Sequence, residues 1–171
     1  MKSLLSPWRY SYLVQERPAA ECIFCDALAH ADDHESLIVH RGRENFVILN
    51  LYPYTNGHLM VVPNTHVAAP SSSTPSQRAE LMELASACEA ALRAAYRADG
   101  VNLGMNLGRA AGAGIEAHYH LHVVPRWEGD TNFMAVTAET RIIPESLQVS
   151  KARVKEALVR LLAAPGGPVH A

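Results

Sequence analysis

Three histidines, His118, His120 and His122, stand at alternate positions in the segment EAHYHLHVVPRW, Glu116 to Trp127. In an extended strand, successive side chains point to opposite faces and same-face neighbours lie about 6.6 Å apart. The three imidazoles therefore share one face, and Tyr119, Leu121 and Val123 share the other. Such a row supports three readings. It is a polar strand face, a three-histidine metal centre of the kind zinc hydrolases use, or a nucleophilic site. The extended spacing suits two metal ligands from one strand better than three. Neutral imidazole is a good nucleophile near neutral pH, because its unperturbed pKa is about 6.5. Neighbouring groups can fix its tautomer and hold charge on a phosphoryl group.

A second group with chemical potential is the Cys22-x-x-Cys25 pair. The spacing alone fits a redox pair, a metal site or two core thiols. Only one such pair exists, so a metal site needs two further ligands. The third cysteine, Cys88, falls on an apolar helical stripe and reads as core. Gly112 and Gly114, ahead of the histidines, form either a tight turn or a place where backbone amides approach an anion.

These residues need a scaffold. SLIVHR and NFVILN are short apolar runs separated by Gly42 and read as a strand pair. LYPYTNG is a loop and HLMVVP a third strand. Thr74 can cap a helix, Pro75 fits its first position, and Gln77 sits three residues past the cap. Leu81, Leu84, Cys88, Leu92 and Tyr96 then form one stripe, and Gly100 is the expected stop. VNLGMN reads as a fourth strand, GRAAGAGIEA as a glycine-rich loop and HYHLHVVP as a fifth strand. A last helix is expected over 145–163, with Val154, Leu158, Leu161 and Leu162 on one face. CIFCDALAH reads as a short helix or turn. The order predicts an α+β fold: a mainly antiparallel five-stranded sheet, a long helix and a C-terminal helix. Residues 1–20 are expected to form an arm, 21–135 the domain, and 136–171 a helical extension packed on it.

The chain of 171 residues suits one compact domain. Its 49% apolar and 19% charged residues match a globular protein. A net charge of −2 provides no basic field for a nucleic-acid polymer. No apolar run reaches the ~18 residues of a membrane span. Ser6, Pro7 and Arg9 interrupt any signal-peptide core. The odd cysteine count argues against a secreted disulfide framework. A cytoplasmic location is the expectation.

HYHLHVV fits the pattern H-φ-H-φ-H-φ-φ, with φ apolar, and resembles the histidine triad family of nucleotidyl hydrolases and transferases. NGHLMVVPNTH resembles the family's G-H-φ-φ-φ-φ-P-x-x-H segment. Asn50, eight residues before His58, stands where relatives carry an Asp or Asn that binds ribose hydroxyls. CIFC resembles the zinc-binding members.

The resemblance implies roles. His120 would attack the α-phosphorus of a nucleotide and form a covalent nucleotidyl-histidine. His122 would hydrogen-bond phosphate oxygens, and His58 would complete the cluster. Asn106 stands where relatives contact phosphate. Relatives often read G-Q-S or G-Q-T before the triad. Here the run is AGAGIEAH, so backbone contacts from Gly114 and Ile115 would replace those side chains. In zinc-containing relatives the two cysteines are joined by the histidine of P-x-x-H and the first triad histidine. Here these are His66 and His118, giving a structural Cys22, Cys25, His66, His118 zinc site and no organic cofactor. PRWEGDTNFM resembles the bacterial subgroup that includes diadenosine tetraphosphate phosphorylases. In it Arg126 would hold a polyphosphate, while Trp127, Phe133 and Met134 would cover a base, within the chain or across a dimer interface. The resemblance also implies a homodimer. A phosphoramidase of the same fold, and a zinc-stabilised nucleotide-binding module without turnover, are the alternatives.

Overall fold

The computed structural model describes residues 22–30, 36–130 and 145–163. The expected N-terminal arm, Phe133, Met134 and the 165–171 tail lie outside the described residues. IFCDALA forms a helix, α1 (Ile23–Ala29), with Cys22 at its N-cap. The apolar runs become β1 (Ile38–Arg41), β2 (Asn45–Leu49) and β3 (Leu59–Pro63). Then come the long helix α2 (Pro75–Tyr96), β4 (Gly100–Gly104), β5 (Leu121–Arg126) and α3 (Leu147–Leu162). The strands form one antiparallel sheet in the order β1-β2-β3-β5-β4. The architecture is the α+β class that the element order predicted.

Alternation sorts each strand onto two faces. Val47, Leu49, Leu59, Val61, Leu121 and Val123 face the α2 stripe of Leu81, Leu84, Cys88 and Leu92, and all are buried. Val154 and Leu158 of α3 complete this core. On the other face Ile38, Phe46, Ile48, Met60 and Val62 pack against Phe24 of α1. β2 and β3, buried throughout, lie between the two layers.

Thr74 caps α2 as expected: its side chain accepts from the Gln77 backbone N–H, and Pro75 occupies the first turn. The expected stop at Gly100 is corrected. Arg97 takes the left-handed conformation, with φ 54°, and donates its N–H to the Arg93 carbonyl. Gly100 is already the first residue of β4. Glu145, ahead of the Ser146 cap of α3, accepts from the Tyr96 hydroxyl at 2.6 Å and from Ser150 Oγ at 2.8 Å. These bonds tie the last helix to the C-terminal end of α2.

The ladder of β5 begins at Leu121, three residues later than the histidine pattern suggested. Its pairing with β3 ends at Leu121–Val61 and its pairing with β4 at His122–Gly104. Residues 118–120 nevertheless keep the alternation, because the two faces have partners. Tyr119 is buried in the α2-side core, and His118 and His120 are buried on the α1 side.

Candidate active site and metal site

The histidines gather on the α1 face, each with a partner that fixes its tautomer. His58 precedes β3; its Nδ1 accepts the Tyr54 backbone N–H at 3.1 Å. The proton therefore sits on Nε2 and is donated to His122 Nδ1 at 2.9 Å. His122, whose Nδ1 accepts, carries its own proton on Nε2. His120 is the reverse. Its Nδ1 donates to the His118 carbonyl at 3.1 Å, which leaves the Nε2 lone pair available. His118 donates from Nε2 to the Pro63 carbonyl at 2.9 Å, so its Nδ1 is a bare acceptor.

Burial favours the neutral form of His58, His120 and His118. His58 is fully buried, and desolvation, then the neighbouring His122 and His120, lower its pKa to about 3. Burial also lowers that of His120, against a smaller opposing effect of its bond to the His118 carbonyl. An unprotonated His120 is the form that has a lone pair to give. Its ring lies 4.8 Å from that of His122, at 77°.

His120 and His122 line a cavity of about 260 Å³. One wall is α1 (Ile23, Phe24, Ala27) and another is the loop after β2 (Asn50, Leu51, Tyr52, Tyr54). Asn106, Gly112, Gly114 and Ile115 approach from the glycine-rich segment. Asn50 accepts the Tyr52 N–H on Oδ1 at 2.9 Å and places Nδ2 3.4 Å from His58 Nδ1. Tyr54 stacks at 4.7 Å on His58. Gly112 has φ 84°, a conformation natural to glycine.

Two expected site residues are not brought to this cavity. Arg126 is four residues along β5 from His122, about 13 Å at strand rise. Its guanidinium makes a paired contact with Asp130 at 2.6 and 2.7 Å and donates to Asn102 at 2.9 Å. Trp127 packs edge-on to Tyr96 and donates to its carbonyl. Conversely, the sequence reading passed over Phe24 and Tyr54. Phe24 was hidden between two cysteines. Tyr54 sat in a loop read only for its punctuation.

Beside the cavity the expected cluster assembles. Cys22, Cys25, His66 and His118 offer ligand atoms that all lie within 4.8 Å of one another. Cys22 Sγ is 3.3 Å and Cys25 Sγ 3.7 Å from His118 Nδ1, and Cys25 Sγ is 3.3 Å from His66 Nδ1. Two thiols and two imidazoles around one point can hold a metal ion, and the Pro63 carbonyl already orients His118 for it.

Residues 32–129 match the HIT domain family. The chain belongs to that family. It is 36% identical over 155 residues to a protein of Mycobacterium tuberculosis named AP-4-A phosphorylase, covering 86% of this chain and 80% of that one. Among solved structures, it resembles a zinc-bound histidine triad protein from Mycobacterium smegmatis. The TM-score is 0.70 and the identity 29%, covering 85% of this chain and 98% of that one. A histidine triad nucleotide-binding protein from Sulfolobus tokodaii gives a TM-score of 0.68 at 27% identity, covering 82% and 93%. Among the described residues of this HIT protein, no helix is long and apolar enough to cross a membrane.

Proposed function

We propose that this HIT protein cleaves dinucleoside polyphosphates of the diadenosine tetraphosphate type at the α-phosphate. The observation that carries the reading is the opposed tautomers of His120 and His122 at one cavity. His120 Nε2 attacks the α-phosphorus, and the P–O bond to the departing polyphosphate breaks with its electron pair. His122 Nε2–H donates to phosphate oxygens and offsets charge as it develops. Inorganic phosphate or water then attacks the phosphorus, and the P–N bond electrons return to His120. Splitting one displacement into two in this way is covalent catalysis.

The cavity lies at the small end of ligand pockets and is mostly apolar, which suits one base and sugar rather than two. The other half of a dinucleotide would extend past His122. Asn50 would meet the ribose, and Asn106, with the backbone of Gly114 and Ile115, the phosphates. The name of the M. tuberculosis relative supports this substrate class.

Cys22, Cys25, His66 and His118 would hold zinc. A tetrahedral ion with Zn–S about 2.3 Å and Zn–N about 2.0 Å keeps such donors roughly 3.3–3.8 Å apart. Three of the donor separations, 3.3 to 3.7 Å, fall in that range, and all of them lie within 4.8 Å. A closed Cys₂His₂ site supplies cross-linking and no open position for chemistry. A homodimer belongs to the same reading; the edge strand β4 and the exposed Leu103 and Leu107 support it.

The test is product analysis with diadenosine tetraphosphate, with and without inorganic phosphate. ADP plus ATP formed only with phosphate identifies a phosphorylase. AMP plus ATP formed without it identifies a hydrolase. His120→Asn should abolish turnover and covalent labelling while nucleotide still binds. No turnover by the wild type in either condition overturns the reading.

A further inference from the structure

We propose that Phe24 is a positioning residue for His120, fixing the plane in which the imidazole presents Nε2. This rests on His120 being the nucleophile. One hydrogen bond, from Nδ1 to the His118 carbonyl, anchors the His120 ring. A single anchor is a hinge, and the ring torsion of histidine is broad and roughly two-fold. Two ring neighbours remove that freedom. His122 lies at 4.8 Å on one side. Phe24 lies at 4.9 Å, tilted by 54°.

Phe24 is itself immobilised. It is 1% exposed and packs with Ile38, Phe46, Ile48, Met60 and Val62. It meets the His118 ring edge-on at 5.5 Å, so one side chain touches both imidazoles. The cysteines that flank it in sequence reach His118 Nδ1 with their sulfurs. The N-terminal end of α1 is thereby held to the segment leading into β5, and Phe24 is the part of it that reaches His120. Without the Phe24 ring, His120 can swing about its anchor and lose alignment with the phosphorus. Catalysis depends steeply on such alignment, whereas binding of the nucleotide does not.

Phe24→Leu and Phe24→Met keep an apolar group of similar reach and remove the ring. Phe24 also lines the cavity, so in the metal-loaded protein both variants should lower kcat about tenfold or more, a larger factor than any rise in KM. Nitrogen NMR of labelled histidine should show a single Nδ1–H tautomer for His120 in wild type and exchange between tautomers in the variants. Unchanged kcat, a rise in KM alone, activity lost only in proportion to unfolded protein, or loss of bound metal from the variants would each overturn the proposal. A wild type without turnover would remove the parent reading instead. The tautomer comparison, which needs no substrate, would still decide whether Phe24 orients His120.

Discussion

His58 and His122, 64 residues apart, are joined by a 2.9 Å hydrogen bond between Nε2 and Nδ1. The bond crosses from the start of β3 to β5 and needs one ring to donate and the other to accept. A proton added to His122 Nδ1 would leave two N–H groups facing each other. Burial, the largest cause of its lowered pKa, keeps His58 neutral while folded.

Stability consequently depends on pH with a defined sign. His58 has a folded pKa of about 3 and ordinarily titrates near 6.5, with burial the largest cause of the shift. Between those values the unfolded chain binds a proton that the folded chain refuses. Stability is therefore complete above pH 6.5 and falls as pH drops toward 3, by about 1.4 kcal/mol per pH unit for each such histidine. His120 and His40 are lowered too and add in the same direction. The carboxylates of Glu80 and Glu145 are lowered and begin to matter only below about pH 5. Thermal midpoints measured from pH 7 to 5 should fall, and His58→Gln should flatten the slope. A flat wild-type profile would contradict neutral burial.

Metal removal gives a second expectation. An ion bound only by the folded chain stabilises it by about 2.7 kcal/mol at a hundredfold excess over Kd. Chelation should lower the melting midpoint, and zinc should restore it at one ion per chain. Cys25→Ser should abolish that response. Elemental analysis with calorimetry reads both. Chelation that stopped turnover at once, with the midpoint unmoved, would point to a catalytic ion instead.

Much of this was legible in sequence because the signals were local. The apolar runs NFVIL and LMVVP each lie within one short segment, and Thr74 with Pro75 and Gln77 marks a helix start within four residues. The cluster of Cys22, Cys25, His66 and His118 was reached through a family pattern, since 96 residues separate Cys22 from His118. The contact of Phe24 with His120 had no local signature. Arg126 lies four residues along β5 from His122, so nearness in sequence becomes distance in space, and within this chain it pairs with Asp130. Gly100 misled because a left-handed helix end usually needs glycine. Here Arg97 takes that conformation, and Arg93, one turn back, donates to the Ala98 and Asp99 carbonyls just beyond it.

Capping provides a prediction that separates stability from chemistry. The Thr74 hydroxyl accepts from Gln77 N–H at 3.1 Å, and Thr74 does not line the cavity. Thr74→Ala should cost about 1 kcal/mol. Denaturant unfolding should show the loss, and kcat and KM should remain those of wild type.

Gly57→Ala should lose both. Gly57 has φ +74°, and a Cβ there would stand 2.7 Å from Tyr96 Cε2 and 2.9 Å from Leu92 Cδ2. The conformation and the overlap together should cost about 2–4 kcal/mol. Relief moves the packed Tyr96 and Leu92 side chains or the turn that leads into His58. That turn is held by the His58 N–H to the Thr55 carbonyl and by the Asn50 N–H to the His58 carbonyl. Displacing it shifts the donor of the His58–His122 bond and, with it, the orientation of the His122 ring. The folded fraction of Gly57→Ala should therefore turn over more slowly than that of Thr74→Ala at matched stability. Equal rates per folded molecule would show that the turn positions nothing in the site.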